Sequence, residues 1–337
     1  MKPDFKTINR ASHKRSKKKR VLWFVLIPLF LLIIGGGSYC FHIYNKAQAV
    51  ANDAYSELGR GDKSEKREKA VKPMTDNISI LIMGVDESDT RSKEYGTATR
   101  TDALLLATIN KNDKSVKLLS IPRDSRVYIP SKKKEDKITH AHVFGGVDST
   151  INTVERFLNV PVDYYVKFNF KSFIKIVDSL GGIDADVPVA FTEQDSKDQA
   201  GAIHLEKGRQ HLNGEQALAL ARTRHIDSDY MRGQRQQLVL EAIAKKALSV
   251  NSISKLGDLL DSVDHDLKTN LTFDDMMAIT KNSMDSSLKI DKLQVKGDDK
   301  YIDGIYYYVP QEKSVQESSK ELQNHLGVTG KLDHKKL

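Results

Sequence analysis

The 337-residue chain has a single cysteine, Cys40. That excludes an intramolecular disulfide and any zinc site built on a cysteine cluster. No GxxxxGK[ST] phosphate loop, HExxH pair or GxSxG elbow is present, so ATP-dependent and serine-esterase chemistries lose their main support. Charge bias is missing from all but one segment. Residues 1–20 hold nine Lys/Arg and one acid, the whole of the formal +8, and the rest of the chain carries 44 charges of each sign. A basic nucleic-acid-binding domain therefore has no support, and no nucleic-acid partner is expected. Arginine is absent from the 102 residues after Arg235, although lysine is plentiful there. Proline (8) and glycine (20) stay below low-complexity levels and 39% of residues are apolar, so a sizeable core is possible.

The basic tail is followed by VLWFVLIPLFLLIIGGGSYCF, an uncharged run over residues 21–41. About 20 residues of helix cross a hydrocarbon core of ~30 Å. Trp23 and Tyr39 lie near its ends, as interfacial aromatics do, and Pro28 is tolerable inside a membrane helix. A cleaved signal peptide competes, because Gly35-Gly36-Gly37-Ser38 supplies small residues, but the run is longer than a usual apolar region of that kind. A transmembrane helix over 21–43 is expected, with the basic tail 1–20 cytoplasmic and the remainder outside. Contact of the tail with anionic lipid headgroups is a possible addition. An enzyme placed outside the cell has no ATP and draws its driving force from its substrate.

Residues 44–75, rich in charge and poor in aliphatics, predict an extracellular stalk ended by Pro73. ISILIMGV (78–85) is a near-continuous apolar run of the buried-strand kind. ALLLATI (103–109) and VKLLSI (116–121), joined by the polar turn NKNDK, predict a hairpin. Helices are expected at 147–158, at 170–180 with a Gly181-Gly182 stop, and over 217–221 after Asn213, with Gln216 completing a capping-box pattern. Further helices are predicted over 230–248, 254–263, 273–284 and 312–326, with strands at 164–168, 290–295 and 305–309. Strands and helices mix without strict alternation. One α/β domain over 76–326 follows, a mixed central sheet flanked by helices, with a frayed end at 327–337.

Arginine usage is the chemical signal. Five lie between Arg209 and Arg235, where a solvated helix face has no need of guanidinium over ammonium. A phosphate site has that need, because the guanidinium fork matches phosphate oxygens bidentately. Arg232, Arg235 and Gln236 fall on one helical face, and Arg222 and Arg224 at a helix end. A salt-bridged surface helix is the bland alternative. A second cluster sits at strand ends: Asp86 closes one strand, Arg100 and Asp102 open the next, and Arg123 and Asp124 follow the third. Such ends collect at one edge of a sheet. Asp86 and Asp102 offer hard oxygen ligands for Mg²⁺, unless either is a turn or cap residue, and Arg100 and Arg123 could hold the same phosphates. His140-Ala-His142, read as a strand, would aim both imidazoles one way; ordinary hydrogen-bonded histidines compete with a metal pair.

ISILIMGVDE, RTDALLLATIN, SIPRDSRVYIP, KITHAHVFGGVDSTINTVE, VDYYVKFNF, FIKIVDSLGGIDADVP, LNGEQALALARTR and RGQRQQ, in this order over about 77–248, closely resemble the LytR–CpsA–Psr family, the cell-wall glycopolymer ligases of Gram-positive bacteria. The resemblance implies transfer of an anionic glycopolymer, of teichoic acid or capsular type, from a polyprenyl-pyrophosphate carrier to a hydroxyl of peptidoglycan, with polyprenyl phosphate released. It implies Mg²⁺ (or Mn²⁺) on Asp86 and Asp102. Arg100, Arg123, Arg222 and Arg224 then form the pyrophosphate clamp, with Arg232 and Gln236 completing it and Lys137 as a further phosphate or headgroup contact. Asp124 pairs with Arg123 or Arg126 and positions them, and Asp124 and Asp229 are candidates for the acceptor's base. The lipid tail requires an apolar tunnel, for which Ile176, Leu180, Leu238 and Ile243 are candidates, although core packing competes at each. The partners implied are the lipid-linked polymer, peptidoglycan and membrane lipid. A hydrolase using the same site with water, and a membrane-bound sensor of wall precursors, are the competing functions.

Overall fold

A computed structural model of the chain describes residues 38–39, 41–86, 99–224, 226, 228–247, 267–283 and 289–328. Most of the expected membrane helix and all of the helix expected at 254–263 lie outside the described residues. Among the described residues, no helix is long and apolar enough to cross a membrane. The chain divides into two units, 1–48 and 49–337. In the first, residues 38–39 and 41–48 are helical. The second is an α/β domain.

Its elements run β1 (Ile78–Val85), β2 (Thr101–Asn110), β3 (Ser115–Ser120), β4 (Arg126–Ile129), β5 (Lys134–Lys137), α1 (His140–Leu158), β6 (Tyr164–Asn169) and α2 (Phe170–Ser179). There follow β7 (Ile183–Val187), β8 (Phe191–Glu193), β9 (Ile203–Leu205), β10 (Gly208–Leu212), α3 (Gly214–Arg222) and α4 (Asp229–Ala247). The last elements are β11 (Lys268–Thr269), α5 (Phe273–Ser283), β12 (Lys289–Gln294), β13 (Gly297–Ile302), β14 (Ile305–Pro310) and α6 (Glu312–Leu326). Six strands form a mixed sheet in the order β11-β6-β1-β2-β3-β12. β1, β2 and β3 are antiparallel neighbours, β6 runs parallel to β1, and β12 runs parallel to β3.

The near-continuous apolar runs have a direct cause: the sheet is covered on both faces. Leu81, Met83, Leu104, Leu106 and Leu119 point to one face and pack with Ile151 and Leu158 of α1 and Leu322 of α6. The alternate residues point to the other face, Leu105 beneath Leu240 of α4 and Ile80 against Met276 and Ile279 of α5, with Ile82 between them. A satellite core joins α2, α3 and α4 to the β7–β10 pair. The Asn213 capping box is present, its side chain accepting from Gln216 N–H and Gln216 answering. At the β13–β14 turn both Asp303 (φ 51°) and Gly304 (φ 78°) are left-handed, as a two-residue hairpin loop requires.

Four expectations change. The stalk over 44–75 does not hold from residue 49 onward: Ala51, Ala54 and Leu58 are buried, and its charges are used for docking. Arg67 pairs with Asp163 at 2.6 Å and Arg60 with Glu155 at 2.8 Å, both across to the domain. His140 and His142 lie at the start of α1, not on a strand; His140 Nδ1 meets Asp136 at 3.0 Å and His142 Nδ1 meets the Thr99 carbonyl at 2.9 Å. The helix read at 147–158 starts seven residues earlier, across a kink at Gly145 and Gly146. The end at 327–337 is ordered through Val328, which joins the core after a left-handed Gly327 cap.

Candidate active site

Topology explains why residues far apart in sequence meet. Antiparallel pairing brings the end of β1, the start of β2 and the end of β3 to one edge of the sheet. Parallel β6 ends there too and passes directly into α2. The β1–β2 register pairs Gly84 with Ala103 and Val85 with Thr101, which leaves Asp102 as the extra residue of a bulge. Bulges at sheet rims re-aim side chains. Asp102 is aimed at Arg123, and the two form a direct ion pair. Asp86 follows β1, and its N–H reaches the Arg100 carbonyl at 3.3 Å.

Above this edge α3 ends in Arg222 and the first turn of α4 begins. Arg222 donates to the Asp195 carbonyl at 3.3 Å and lies 3.7 Å from Asp198. Gln236 donates at 3.4 Å to both the Asp102 and Ala221 carbonyls, tying the bulge to α3. Arg224 approaches Asp124 at 3.6 Å and Asp229 at 3.8 Å; Arg232 approaches Asp229 at 3.3 Å.

Asp124 and Asp229 sit behind these cations as paired carboxyls. Burial disfavours charge on Asp124, but Arg123 and a 2.9 Å contact from Lys137 outweigh it and hold the carboxyl below its usual range. Asp229 goes the other way: burial pushes its carboxyl up, and Asp124 adds to this while Arg232 and Arg224 oppose it. Burial also lowers Arg232 to about 10, with Asp229 opposing, so it remains a cation at neutral pH. The Arg232 Nε and one Asp229 oxygen are buried without a hydrogen-bond partner among the described residues. Of the two, the Arg232 Nε is unused donor capacity for an anion.

Asp86, Arg100, Asp102, Arg123, Arg222 and Arg224, with Arg232 and Gln236, line one cavity of about 1010 Å³. Its other wall is apolar: Ile80, Val166, Phe173, Ile176, Leu240 and Ile243 extend it between the sheet and helices α2 and α4. Eight of the ten site residues read from the sequence therefore share this cavity. Asp124 and Lys137 do not line it; they brace Arg123 and Arg224 from behind. Of the tunnel candidates, Ile176 and Ile243 are on its wall, Leu238 packs in the satellite core and Leu180 is buried. Arg235 turns away from its helical neighbours' site and donates to the Leu220 and Thr223 carbonyls at 3.2 and 2.6 Å. Sequence reasoning missed the Glu193–Asp198 segment at the mouth, for which no local pattern served as a signal.

An apolar tunnel ending in guanidinium forks and two carboxylates defines a class: a protein that holds an amphiphile with a long apolar chain and an anionic, phosphate-type head. The profile of the LytR_cpsA_psr family matches residues 41–324, and the chain belongs to that family. It is 39% identical over 315 residues (93% of this chain, 99% of the relative) to the polyisoprenyl-teichoic acid–peptidoglycan teichoic acid transferase TagU of Bacillus cereus. It is 40% identical over 323 residues (95% and 99%) to the transferase of the same description, TagT, of Bacillus subtilis. Among solved structures, the LytR-CPS2A-psr family protein YwtF (TagT) with bound octaprenyl pyrophosphate lipid is similar with a TM-score of 0.65 and 37% identity, covering 81% of this chain and 99% of that one.

Proposed function

We infer that this chain transfers an anionic glycopolymer, of the teichoic acid class its relatives are named for, from a polyprenyl-pyrophosphate carrier to peptidoglycan. The carrying observation is the single cavity that joins a cationic mouth to an apolar tunnel. The tunnel takes the polyprenyl chain and the arginines take the pyrophosphate. The acceptor hydroxyl forms a new O–P bond to the polymer-side phosphorus. The bond from that phosphorus to the bridging oxygen breaks, polyprenyl phosphate leaves, and the hydroxyl proton is released. Phosphoryl transfer of this kind needs mainly positioning and charge neutralisation. Arg123, Arg222, Arg224 and Arg232 supply both, and Asp124 and Asp229 keep them in place. The pyrophosphate bond supplies the driving force.

Asp86 and Asp102 are the residues that would hold Mg²⁺, or Mn²⁺. Two carboxylates suit Mg²⁺, which keeps water ligands and takes phosphate oxygens instead of a closed protein cage. No group of three or more His, Cys, Asp or Glu side chains that could hold a metal occurs among the described residues, and an ion on Asp102 would share that carboxylate with Arg123. Bound there, the ion would neutralise charge on the pyrophosphate. Residues 21–43 anchor the chain in the cell membrane with residues 1–20 cytoplasmic; the uncharged run and basic flank support this.

The test uses the full chain in detergent with a polyprenyl-pyrophosphate-linked teichoic acid, uncrosslinked peptidoglycan and Mg²⁺. Release of polyprenyl phosphate with label appearing in peptidoglycan is the expected result, abolished by chelation and restored by Mg²⁺. Release without label in peptidoglycan would make the protein a pyrophosphate hydrolase instead.

A further inference from the structure

The acceptor hydroxyl must lose a proton, and the two carboxyls that the sequence offers for it are badly placed. Asp124 is 5% exposed and is held by Lys137 at 2.9 Å, Arg123 at 3.5 Å and Arg224 at 3.6 Å. The Asp229 side chain is 9% exposed and faces Arg232 at 3.3 Å. Neither lines the cavity. A base has to come within hydrogen-bond reach of the proton it takes, so both stand on the wrong side of the arginines. Four carboxylates do line the cavity: Asp86, Asp102, Glu193 and Asp198. Asp86 and Asp102 are the pair suited to an ion, and Asp102 is already bound to Arg123. Asp198 lies 3.7 Å from Arg222 and accepts from the Gln194 side chain at 2.9 Å. Glu193 remains.

Glu193 ends β8, two residues after Phe191. Residues two apart on a strand share a face, and Phe191 packs in the satellite core, so the Glu193 side chain is turned inward. It is 7% exposed. Among the described residues its carboxylate accepts one hydrogen bond, from the Gln194 N–H at 3.0 Å, and no cation lies within ion-pair distance. Buried carboxylates are ordinarily paired. One left with acceptor capacity in a cavity wall can receive a proton from whatever enters. Its place relative to the cage is fixed by α3. The Ser196 N–H and hydroxyl donate to Glu215 in the first turn of that helix, at 3.0 and 2.5 Å. Arg222, at its last turn, donates to the Asp195 carbonyl at 3.3 Å. The segment that follows Glu193 is thus tied to both ends of the helix that carries Arg222.

We propose that Glu193 is the catalytic base of the transfer: its carboxylate takes the proton of the acceptor hydroxyl as that oxygen forms the new O–P bond. The bond to the bridging oxygen breaks with its electron pair on polyprenyl phosphate, and water later takes the proton from Glu193. The proposal rests on the transfer reading above. Glu193→Gln keeps the shape and removes the base. With the full chain in detergent, its turnover falls by about 10²-fold. Its Kd for octaprenyl pyrophosphate, titrated calorimetrically without acceptor, stays within about twofold of wild type. Asp198→Asn loses less turnover than Glu193→Gln. Sodium formate restores part of the turnover of Glu193→Ala, because a small carboxylate enters the space vacated, and leaves Glu193→Gln, whose amide fills that space, unchanged. Turnover of Glu193→Gln within about threefold of wild type overturns the proposal, as does a loss of octaprenyl pyrophosphate binding that matches the loss of turnover. A larger loss in Asp198→Asn gives the role to Asp198 instead. Intact binding without formate rescue reduces Glu193 to a positioning residue and overturns the base. If the wild type releases polyprenyl phosphate without labelling peptidoglycan, the transfer reading fails, and a matching fall of that release in Glu193→Gln keeps Glu193 as the base toward water. No release by the wild type overturns both.

Discussion

Arg123 is the side chain on which the site's geometry converges. It meets Asp102 on the bulge, lies 3.5 Å from Asp124, and lines the cavity. Burial opposes its charge, but Asp102 and Asp124 outweigh this and raise its pKa, so it stays a cation. Arg123→Lys keeps one charge and loses the fork that reaches both carboxylate and phosphate. Polyprenyl phosphate release by that variant is expected to fall by about 10²-fold, the scale of losing one preorganised donor in a phosphate or oxyanion site. An unchanged circular dichroism spectrum would separate this from misfolding. A rate within threefold of wild type would mean that Arg123 acts only as a diffuse positive charge.

At the level of elements, α3 and α6 each depend on one close contact. Gly214 opens α3 against α2, and a Cβ there would stand 2.8 Å from the Ile174 Cα, which is backbone and cannot yield cheaply. Gly214→Ala is expected to cost about 1–3 kcal/mol through overpacking. Its melting temperature falls by several degrees, and donor affinity weakens because α3 carries Arg222. In α6, His325 is enclosed: its ring meets Thr108 Oγ1 at 2.7 Å and Ser115 Oγ at 2.9 Å. Burial, with Lys117 adding, lowers its pKa below the usual value. The unfolded chain therefore takes up a proton near pH ~6.5 that the folded protein refuses. Stability from this site is complete above that pH and is lost as the pH falls through the lower folded value. The melting temperature should decline between pH 7.5 and 5, and His325→Gln should flatten that slope; an identical slope in the variant would remove His325 as its cause.

For the whole molecule, the main architectural fact is that one sheet serves two apolar compartments. One face is packed solid with α1 and α6; the other is left partly open beneath α2 and α4. A solid core tolerates little volume change, whereas a tunnel tolerates it until its occupant is excluded. Ile176→Trp should therefore fold with near wild-type stability while narrowing the tunnel. The half-saturating concentration of a long polyprenyl donor is expected to rise by about tenfold, a loss of ~1.4 kcal/mol of binding, and that of a short-chain analogue to change little. Equal effects on both donors would show that the chain binds elsewhere.

Much of this was legible in the sequence because its causes are local. The apolar run 78–85, the hairpin after it and the Asn213–Gln216 cap act through neighbours a few residues away. The arginine bias also survives as composition, since guanidinium is selected residue by residue. What the tertiary structure alone decided depends on contacts across long stretches of chain. The bulge that aims Asp102 arises from the β1–β2 register, and no pattern within RTDALLL encodes it. Arg235 shares a helical face with Arg232 by spacing, yet it serves the α3 carbonyls, because helix packing sets which part of a face meets which neighbour. Residues 49–75 read as a solvated stalk, since charge in a sequence looks the same whether it meets water or Asp163 and Glu155. The sequence by itself determined the central strands, the long helices, the arginine-rich chemistry and the family. Folding decided the empty volume between sheet and helices, because a cavity is defined by what distant segments fail to fill.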